Sequence, residues 1–323
     1  MAGMNCKLTI LYPGFLTTVQ DPGRAGYGRL GVPGSGAMDR VALMAANALV
    51  GNSPGAAGLE CALLGPALQA DAGCLAAAAG RGFELEVGGR RLPAWMAAWV
   101  RPGEVVALRA TDEAAWGYLA FGGGIDVPPV LGSRSTYLRG GFGGLEGRAL
   151  RTGDLLAVGE AGAPMDPYER AGLELAQELR PAYSDHPLIE VVLGPQAEAF
   201  SQAGLAAFLE GEYALTPACD RMGYRLEGPP IAHRGGADLL SEGVALGSVQ
   251  VPGDGQPIVL MADRQTAGGY PKIAVVTSAS LPLLVQCPPG RGRVRFRAVT
   301  VEEAQQKWRS LWASAKGDVN PKG

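Results

Sequence analysis

The densest group of reactive side chains in the sequence lies in one loop, residues 263–272. It reads Asp-Arg-Gln-Thr-Ala-Gly-Gly-Tyr-Pro-Lys and follows an apolar run, residues 257–262, that predicts a strand. A carboxylate, a guanidinium, an amide, a hydroxyl, a phenol and an ammonium therefore share one loop with a Gly-Gly pair whose backbone can approach a ligand closely. This pattern favours a functional loop over the alternative, a long hairpin in which these groups only satisfy one another.

Lys272 is unusual among the basic residues of the chain. Only five of the 28 basic residues are lysines, and the other four lie near the ends, at Lys7, Lys307, Lys316 and Lys322. An ammonium is a compact point charge that titrates more readily than a planar guanidinium. The isolation of Lys272 therefore indicates a chemical role, and the alternative is a surface lysine present by chance.

Several well-known catalytic motifs are missing from the sequence. There is no Walker A sequence and no Gly-x-Ser-x-Gly elbow, and the Gly26-x-Gly28-x-x-Gly31 string lies in a turn-rich segment that opens no helix. The two histidines, His186 and His233, are too few for a multi-histidine metal site, so no metal is predicted. The five cysteines are scattered without a Cys-x-x-Cys pair, which indicates a reducing compartment.

Composition indicates a globular protein made of short strands. The 323 residues carry a formal net charge of -3 and are 47% hydrophobic and 18% charged, which excludes a disordered chain and a nucleic-acid-coating protein. The 49 glycines and 24 prolines indicate frequent turns and exclude long helical bundles. Neither a signal peptide nor a stretch of 18 apolar residues is present, so we expect a cytoplasmic protein without a membrane partner.

The order of apolar runs and turn formers predicts a mainly β fold with a few helices and two β-rich lobes. We expect an N-terminal lobe over residues 1–165, a linker helix over 166–187, a C-terminal lobe over 188–300, and a terminal helix and tail over 301–323. Residues 38–50 have apolar spacings of three and four, an Asp39 near the start and a Gly51 after the end, which predicts a helix.

Several segments closely resemble the biotin-dependent carboxyltransferase family. They are residues 14–24, 35–39, 46–52, 132–136, 220–223 and 263–272. The resemblance runs in the same order from about Leu8 to Val299, and the family includes allophanate hydrolase subunit 2 and the C subunit of bacterial 5-oxoprolinase. It implies a cyclophilin-like architecture that contains a β-barrel. This agrees with the β-rich, two-lobed fold expected from composition.

The resemblance also implies an activity and partners. A chain of this length looks like the C subunit of an ATP-dependent complex that opens 5-oxo-L-proline to L-glutamate. The expected partners are a B subunit, similar to KipI and allophanate hydrolase subunit 1, together with an A subunit similar to LamB/YcsF proteins. ATP with magnesium is the expected cofactor, on this chain or on a partner. No lysine follows a methionine, so no biotin is expected on this chain.

Two alternatives to a 5-oxoprolinase subunit remain open within the family. The first is a carboxyltransferase subunit, of the allophanate hydrolase type, that acts on urea-like amides with a separate biotin carrier. The second is a regulatory binding partner of a KipI-like protein, without chemistry of its own. Accumulation of 5-oxoproline after deletion of the gene separates the 5-oxoprolinase interpretation from both alternatives.

The implied substrate assigns roles to the candidate residues. Opening a lactam requires stabilisation of an anionic carbonyl oxygen, for which Lys272 and the amides near Gly268-Gly269 are suited. Asp263 or Glu242 serves as the base, with Asp263 favoured because it shares a loop with Lys272. Residues expected to bind substrate or phosphate are Arg24, Arg221, Arg264, Gln265, Thr266, Gly268, Gly269 and Tyr270. Structural salt bridges among these residues are the alternative.

Overall fold

The structure is a computed structural model that describes residues 6–160 and 167–316. The chain divides into two compact units. The first, here called the sandwich unit, comprises Met1–Arg24, Ser35–Arg180 and Trp312–Gly323. The second, the barrel unit, comprises Ala25–Gly34 and Pro181–Leu311. Among the described residues, no helix has the length and apolar character needed to cross a membrane.

Two antiparallel sheets form the sandwich unit. Its strands are β1 (Lys7–Tyr12), β2 (Thr18–Gln20), β3 (Gly58–Ala62), β4 (Ala67–Ala70), β5 (Cys74–Gly80), β6 (Phe83–Val87), β7 (Arg90–Pro93), β8 (Ala97–Val100), β9 (Val105–Ala110), β10 (Trp116–Phe121), β11 (Ile125–Asp126) and β12 (Leu155–Val158). The sheet orders are β11-β12-β1-β4-β9-β6-β7 and β2-β3-β10-β5-β8. Alternate side chains of both sheets, such as Leu8 and Ile10 of β1 and Leu119 and Phe121 of β10, share one apolar core.

Helix α1 (Arg40–Leu49) confirms the helix predicted over residues 38–50. Asp39 caps its first turn, because its side chain accepts a hydrogen bond from the backbone N–H of Ala42 at 2.9 Å. The helix packs against β5 and β10 of the five-stranded sheet. It therefore holds the residues just before it, 35–39, against the body of the sandwich unit.

A closed seven-stranded barrel forms the centre of the barrel unit. The elements of the unit are β13 (Leu188–Leu193), α3 (Gln202–Glu210), β14 (Glu212–Leu215), β15 (Gly223–Glu227), β16 (Glu242–Gly243), β17 (Ser248–Gln250), β18 (Ile258–Leu260), β19 (Ala267–Gly268), β20 (Lys272–Val276), α4 (Leu281–Val285) and β21 (Arg293–Ala298). The last helix, α5 (Val301–Lys316), belongs to this unit up to Leu311 and to the sandwich unit from Trp312. The barrel order is β13-β20-β17-β18-β15-β14-β21, closed by parallel pairing of β13 with β21. The predicted mainly β chain with two β-rich lobes and a barrel is confirmed.

The segment predicted as a linker helix is helical only in part. Over the described residues it contains α2 (Pro167–Arg170) and one 3-10 turn, Gln177–Leu179. Gly172, with φ of 92°, ends the first helix, and Leu173 then accepts a hydrogen bond from the N–H of Ala97 in edge strand β8. The two units divide after Arg180, inside the expected linker. The expected boundary at 165–166 lies outside the described residues.

Candidate functional site

Lys272 is the first residue of β20, and its side chain is almost fully buried, with 6% of its surface exposed. Its ammonium Nζ lies 2.7 Å from Oε1 of Glu242. Glu242 reaches it because β16 pairs with β19, which sets Glu242 opposite Gly268 in the loop that precedes Lys272. The structure therefore joins two of the predicted catalytic residues in one ion pair.

Gln196 holds both members of this ion pair, and it was not among the residues predicted from the sequence. Its Nε2 donates a hydrogen bond to Oε1 of Glu242 at 2.5 Å, and its Oε1 accepts one from the backbone N–H of Lys272 at 3.3 Å. The chain comes this close because Gly194 lacks a side chain: a Cβ there would overlap the carbonyl oxygen of Lys272. The only signal in the sequence is the Gly-Pro pair that follows β13.

The side-chain amides of Gln250 and Gln265 form a second hydrogen-bonded group next to Lys272. Gln250, the register partner of Lys272, is buried, and its Oε1 accepts a hydrogen bond from Nε2 of Gln265 at 3.3 Å. Its own Nε2 donates to the carbonyl oxygen of Tyr270 at 3.5 Å, the same oxygen that Nζ of Lys272 approaches at 3.5 Å. Gln250 was also missed, and it links the predicted residues Gln265 and Tyr270 to the lysine.

Packing explains the two glycines of the loop. A Cβ on Gly268 would lie 2.6 Å from Nε2 of Gln250, and a Cβ on Gly269 would lie 2.8 Å from the carbonyl oxygen of Leu239. The carbonyl oxygen of Gly269 also accepts a hydrogen bond from the N–H of Leu239 at 2.7 Å. Gly269 is therefore required by the backbone that packs against it, whereas a side chain at position 268 would have to displace the amide of Gln250.

Asp263 is paired with Arg221 rather than with Lys272. Nε and Nη2 of Arg221 donate to the two carboxylate oxygens at 2.9 and 3.1 Å, and the two side chains, Arg221 and Asp263, are 9% and 5% exposed. Both oxygens of Asp263 are thereby used in a buried bidentate ion pair. Arg264 donates instead to backbone carbonyl oxygens, those of Val244 at 3.2 Å and Met261 at 3.3 Å.

The remaining predicted residues lie in different surroundings. The carbonyl oxygen of Thr266 accepts a hydrogen bond from the N–H of Val244 at 3.1 Å, so Thr266 helps to close the loop. Tyr270 is partly exposed. Arg24 belongs to the sandwich unit, where its Nη2 donates to the carbonyl oxygen of Ser135 at 2.5 Å and its guanidinium lies 5.0 Å from the ring centre of Phe142. Arg24 thus belongs to the other unit of the chain from the lysine cluster, and its predicted role in binding substrate or phosphate stays a prediction.

The hydrogen bonds of the cluster keep the carboxylate of Glu242 ionised. The hydrogen bond from Lys272, and after it the one from Gln196, lower the pKa of Glu242 from its ordinary value. An ammonium has three N–H donors, of which Lys272 directs one at Glu242 and one at the Tyr270 carbonyl. Within the described part of the chain no third acceptor is present, so one donor is available to an anionic oxygen of a ligand.

A pH titration tests this arrangement. We expect the side-chain carboxyl of Glu242, followed by carbon-detected NMR, to titrate below the ordinary value of 4.5, and Lys272→Met to move its midpoint upward. The pKa of Glu242 is lower in the folded chain than in the unfolded chain, so the ion pair contributes its full stability at pH values above the unfolded-state pKa. This contribution is lost as the pH falls through the lowered folded-state pKa. An unchanged midpoint in the variant would contradict the ion pair.

The fold and the site together define a class of protein: a β-sandwich and a closed β-barrel, with a buried lysine held by a glutamate and a glutamine. The family model described as "Carboxyltransferase domain, subdomain A and B" matches residues 30–298. The chain belongs to this family, and the resemblance predicted from the sequence motifs is confirmed.

The chain is similar to relatives of matching length and to part of a larger enzyme. It is 38% identical to the 5-oxoprolinase C subunit of Escherichia coli over 92% of this chain and 93% of that protein. It is 36% identical to the 5-oxoprolinase C subunit of Haemophilus influenzae over 89% of each. The crystal structure of the K. lactis urea amidolyase superposes with a TM-score of 0.89 at 29% identity, covering 98% of this chain but 20% of that one.

Proposed function

We propose that this chain is the C subunit of an ATP-dependent complex that opens 5-oxo-L-proline to L-glutamate. Relatives named as this component of 5-oxoprolinase match it almost end to end, whereas the urea amidolyase match covers only a fifth of that enzyme. The observation that carries the proposal is the buried Lys272 ammonium with one N–H donor available, because lactam opening places negative charge on the carbonyl oxygen.

Each residue of the cluster has a separate task in this mechanism. Lys272 donates a hydrogen bond to the lactam oxygen as charge develops there. Glu242 stays ionised and holds the ammonium in place, and Gln196 fixes both groups through its amide. ATP with magnesium, bound on this chain or on a partner, supplies the free energy for ring opening. Water is excluded from the lysine by its burial, which strengthens the interaction with the oxygen.

The geometry favours positioning roles for the two predicted bases. A carboxylate whose pKa is lowered, such as Glu242, is a weak proton acceptor at neutral pH. Both oxygens of Asp263 are used by Arg221. We therefore assign the Asp263–Arg221 pair to fixing the start of the loop that carries Lys272, and we place the general base outside these two side chains.

We further propose that the chain acts in the cytoplasm with two partners, a KipI-like B subunit together with a LamB/YcsF-like A subunit. The word subunit in the names of the relatives supports a complex, and the five free thiols fit a reducing compartment. The similarity to urea amidolyase supports a second candidate, carboxyl transfer to a urea-like amide from a separate biotin carrier.

Reconstitution tests the proposed function. We expect the isolated chain to release no glutamate from 5-oxoproline, and the mixture with both partner proteins to release it in an ATP-dependent reaction. Omitting each component in turn serves as the control. Turnover by the single chain would contradict the requirement for a complex. Carboxylation of urea with an added biotin carrier, without glutamate release by the full mixture, would favour the second candidate instead.

A further inference from the structure

Three of the motifs singled out in the sequence meet in the sandwich unit and are not used by the lysine cluster. They are residues 20–24, 35–39 and 132–136. Asp21 Oδ1 accepts hydrogen bonds from the hydroxyls of Ser133 and Ser135 at 2.6 and 2.5 Å, and its carbonyl oxygen accepts one from the N–H of Ala37 at 2.9 Å. Gly36 packs so closely that a Cβ would lie 2.7 Å from the carbonyl oxygen of Pro22.

Arg40 is the first residue of α1 and directly follows the segment of residues 35–39. Its guanidinium has no hydrogen-bonding partner in the described structure. Its side chain forms no hydrogen bond or ion pair with any residue that the structure describes, and its Nε is buried without an acceptor. Burial lowers the pKa of this guanidinium, while the charge of Asp21 acts in the opposite direction. A partly buried guanidinium without a hydrogen-bond acceptor is energetically unfavourable unless an anion binds to it.

The carboxylate of Asp21 acts on Arg40 through its charge, but it is not the anion that forms hydrogen bonds with the Arg40 guanidinium. Asp21 Oδ1 already accepts from the two serine hydroxyls and from the N–H of Gly23 at 2.8 Å, and Oδ2 accepts from the N–H of Arg134 at 2.6 Å. The neighbouring Arg24 is held by the carbonyl oxygen of Ser135. The guanidinium of Arg40, which directly follows one of these segments, is therefore a cation that Asp21 leaves without a hydrogen-bonded carboxylate.

Two buried side-chain oxygen atoms in the same segments have no hydrogen-bond donor in the described structure. Ser35 is 1% exposed and Gln20 is 0% exposed, and neither Oγ of Ser35 nor Oε1 of Gln20 has a hydrogen bond in the described structure. Buried polar groups are normally satisfied by protein or by ordered water, and a polar ligand can take the place of such water. Unsatisfied groups on two of the converging segments, one of which leads directly into Arg40, mark a place where a polar molecule can supply the missing hydrogen bonds.

We propose that Arg40, together with Ser35, binds the carboxylate of a small monoanionic organic acid in the sandwich unit. The two parallel N–H groups of a guanidinium match the two oxygens of a carboxylate. Buried carboxylates nearby, Asp39 and Glu60, disfavour a phosphate dianion. The residues of this site belong to the sandwich unit and those of the lysine cluster to the barrel unit, and the proposal does not rest on the function proposed above.

Calorimetric titration of the full chain with acetate, 5-oxo-L-proline and inorganic phosphate tests the site. We expect saturable binding of at least one of the two carboxylates, and weaker binding of phosphate. Arg40→Met should raise the dissociation constant by about tenfold or more, because a charge-assisted hydrogen bond is lost. Arg40→Lys and Ser35→Ala should each weaken binding to a smaller extent, and the exposed Arg90→Met in the same unit should leave it unchanged.

Two further measurements distinguish this site from a structural role of Arg40 and from binding at the lysine cluster. The melting temperature of Arg40→Met should be no lower than that of the parent chain, because the variant removes an unpaired, recessed charge. Binding should persist in Lys272→Met. The proposal is overturned if neither carboxylate binds, if phosphate binds more tightly than both, if Arg40→Met binds as the parent does, or if Arg40→Met unfolds while Arg40→Lys binds normally.

Discussion

Replacing Lys272 with methionine is expected to lower the ATP-dependent turnover of 5-oxoproline by the assembled complex by about 10²-fold or more. The ammonium is buried and fixed by Glu242 and Gln196, so its charge acts on a nearby oxygen without reorganisation during the reaction. Methionine preserves much of the length of the side chain and removes the charge. The measurement is glutamate release by the reconstituted complex at saturating ATP.

The fold should tolerate this replacement because the two partners of the ion pair are buried unequally. Glu242 is 46% exposed, so water solvates its carboxylate once the ammonium is gone. Lys272→Arg should also be impaired, since a planar guanidinium does not fit the space of a compact, almost fully buried ammonium. Lys7→Met, at an exposed lysine, is the control that should retain full turnover. Near-normal turnover by both Lys272 variants would place the chemistry on other residues.

Short-range features of the chain were predictable because they depend on neighbouring residues. Asp39, the apolar spacing after it and Gly51 set the limits of α1. The many turn formers predicted short strands, and both units are built from them. Closure of the barrel was expected only through the family resemblance. It depends on parallel pairing of β13 with β21, strands that lie far apart in the sequence and whose contact no local pattern encodes.

The candidate site could also be predicted only in part, because its contacts join residues that lie far apart in the sequence. Lys272 was identified because it is an isolated lysine, and Glu242 because of its motif, but their ion pair depends on the pairing of β16 with β19. Gln196 and Gln250 were missed because an uncharged amide gives no signal until its neighbours in space are known. Arg40 was missed for a similar reason. Nothing in its sequence context shows that the carboxylate of Asp21 is already occupied.

A second large effect is expected on stability, when Asp263 is replaced with alanine. The variant leaves the guanidinium of Arg221 buried without its bidentate partner, and breaking such a buried pair costs about 3–5 kcal/mol of the free energy of unfolding. Urea unfolding, together with hydrogen exchange of peptides from the barrel unit, measures this loss. Because Asp263 begins the loop that ends at Lys272, turnover by the complex should fall as well.

The cost arises from the unpaired charge, so removing both charges should restore most of the lost stability. The double variant Arg221→Met with Asp263→Leu is expected to be more stable than Asp263→Ala, since apolar residues of similar volume often replace a buried ion pair without loss. Glu86→Ala is the matched control in the sandwich unit, where Arg109 bonds both Glu86 oxygens but is half exposed. Exposed pairs contribute about 1 kcal/mol or less. Equal losses for Asp263→Ala and Glu86→Ala would show that burial of the Arg221–Asp263 pair has no energetic consequence, and would remove its assigned role in fixing the loop.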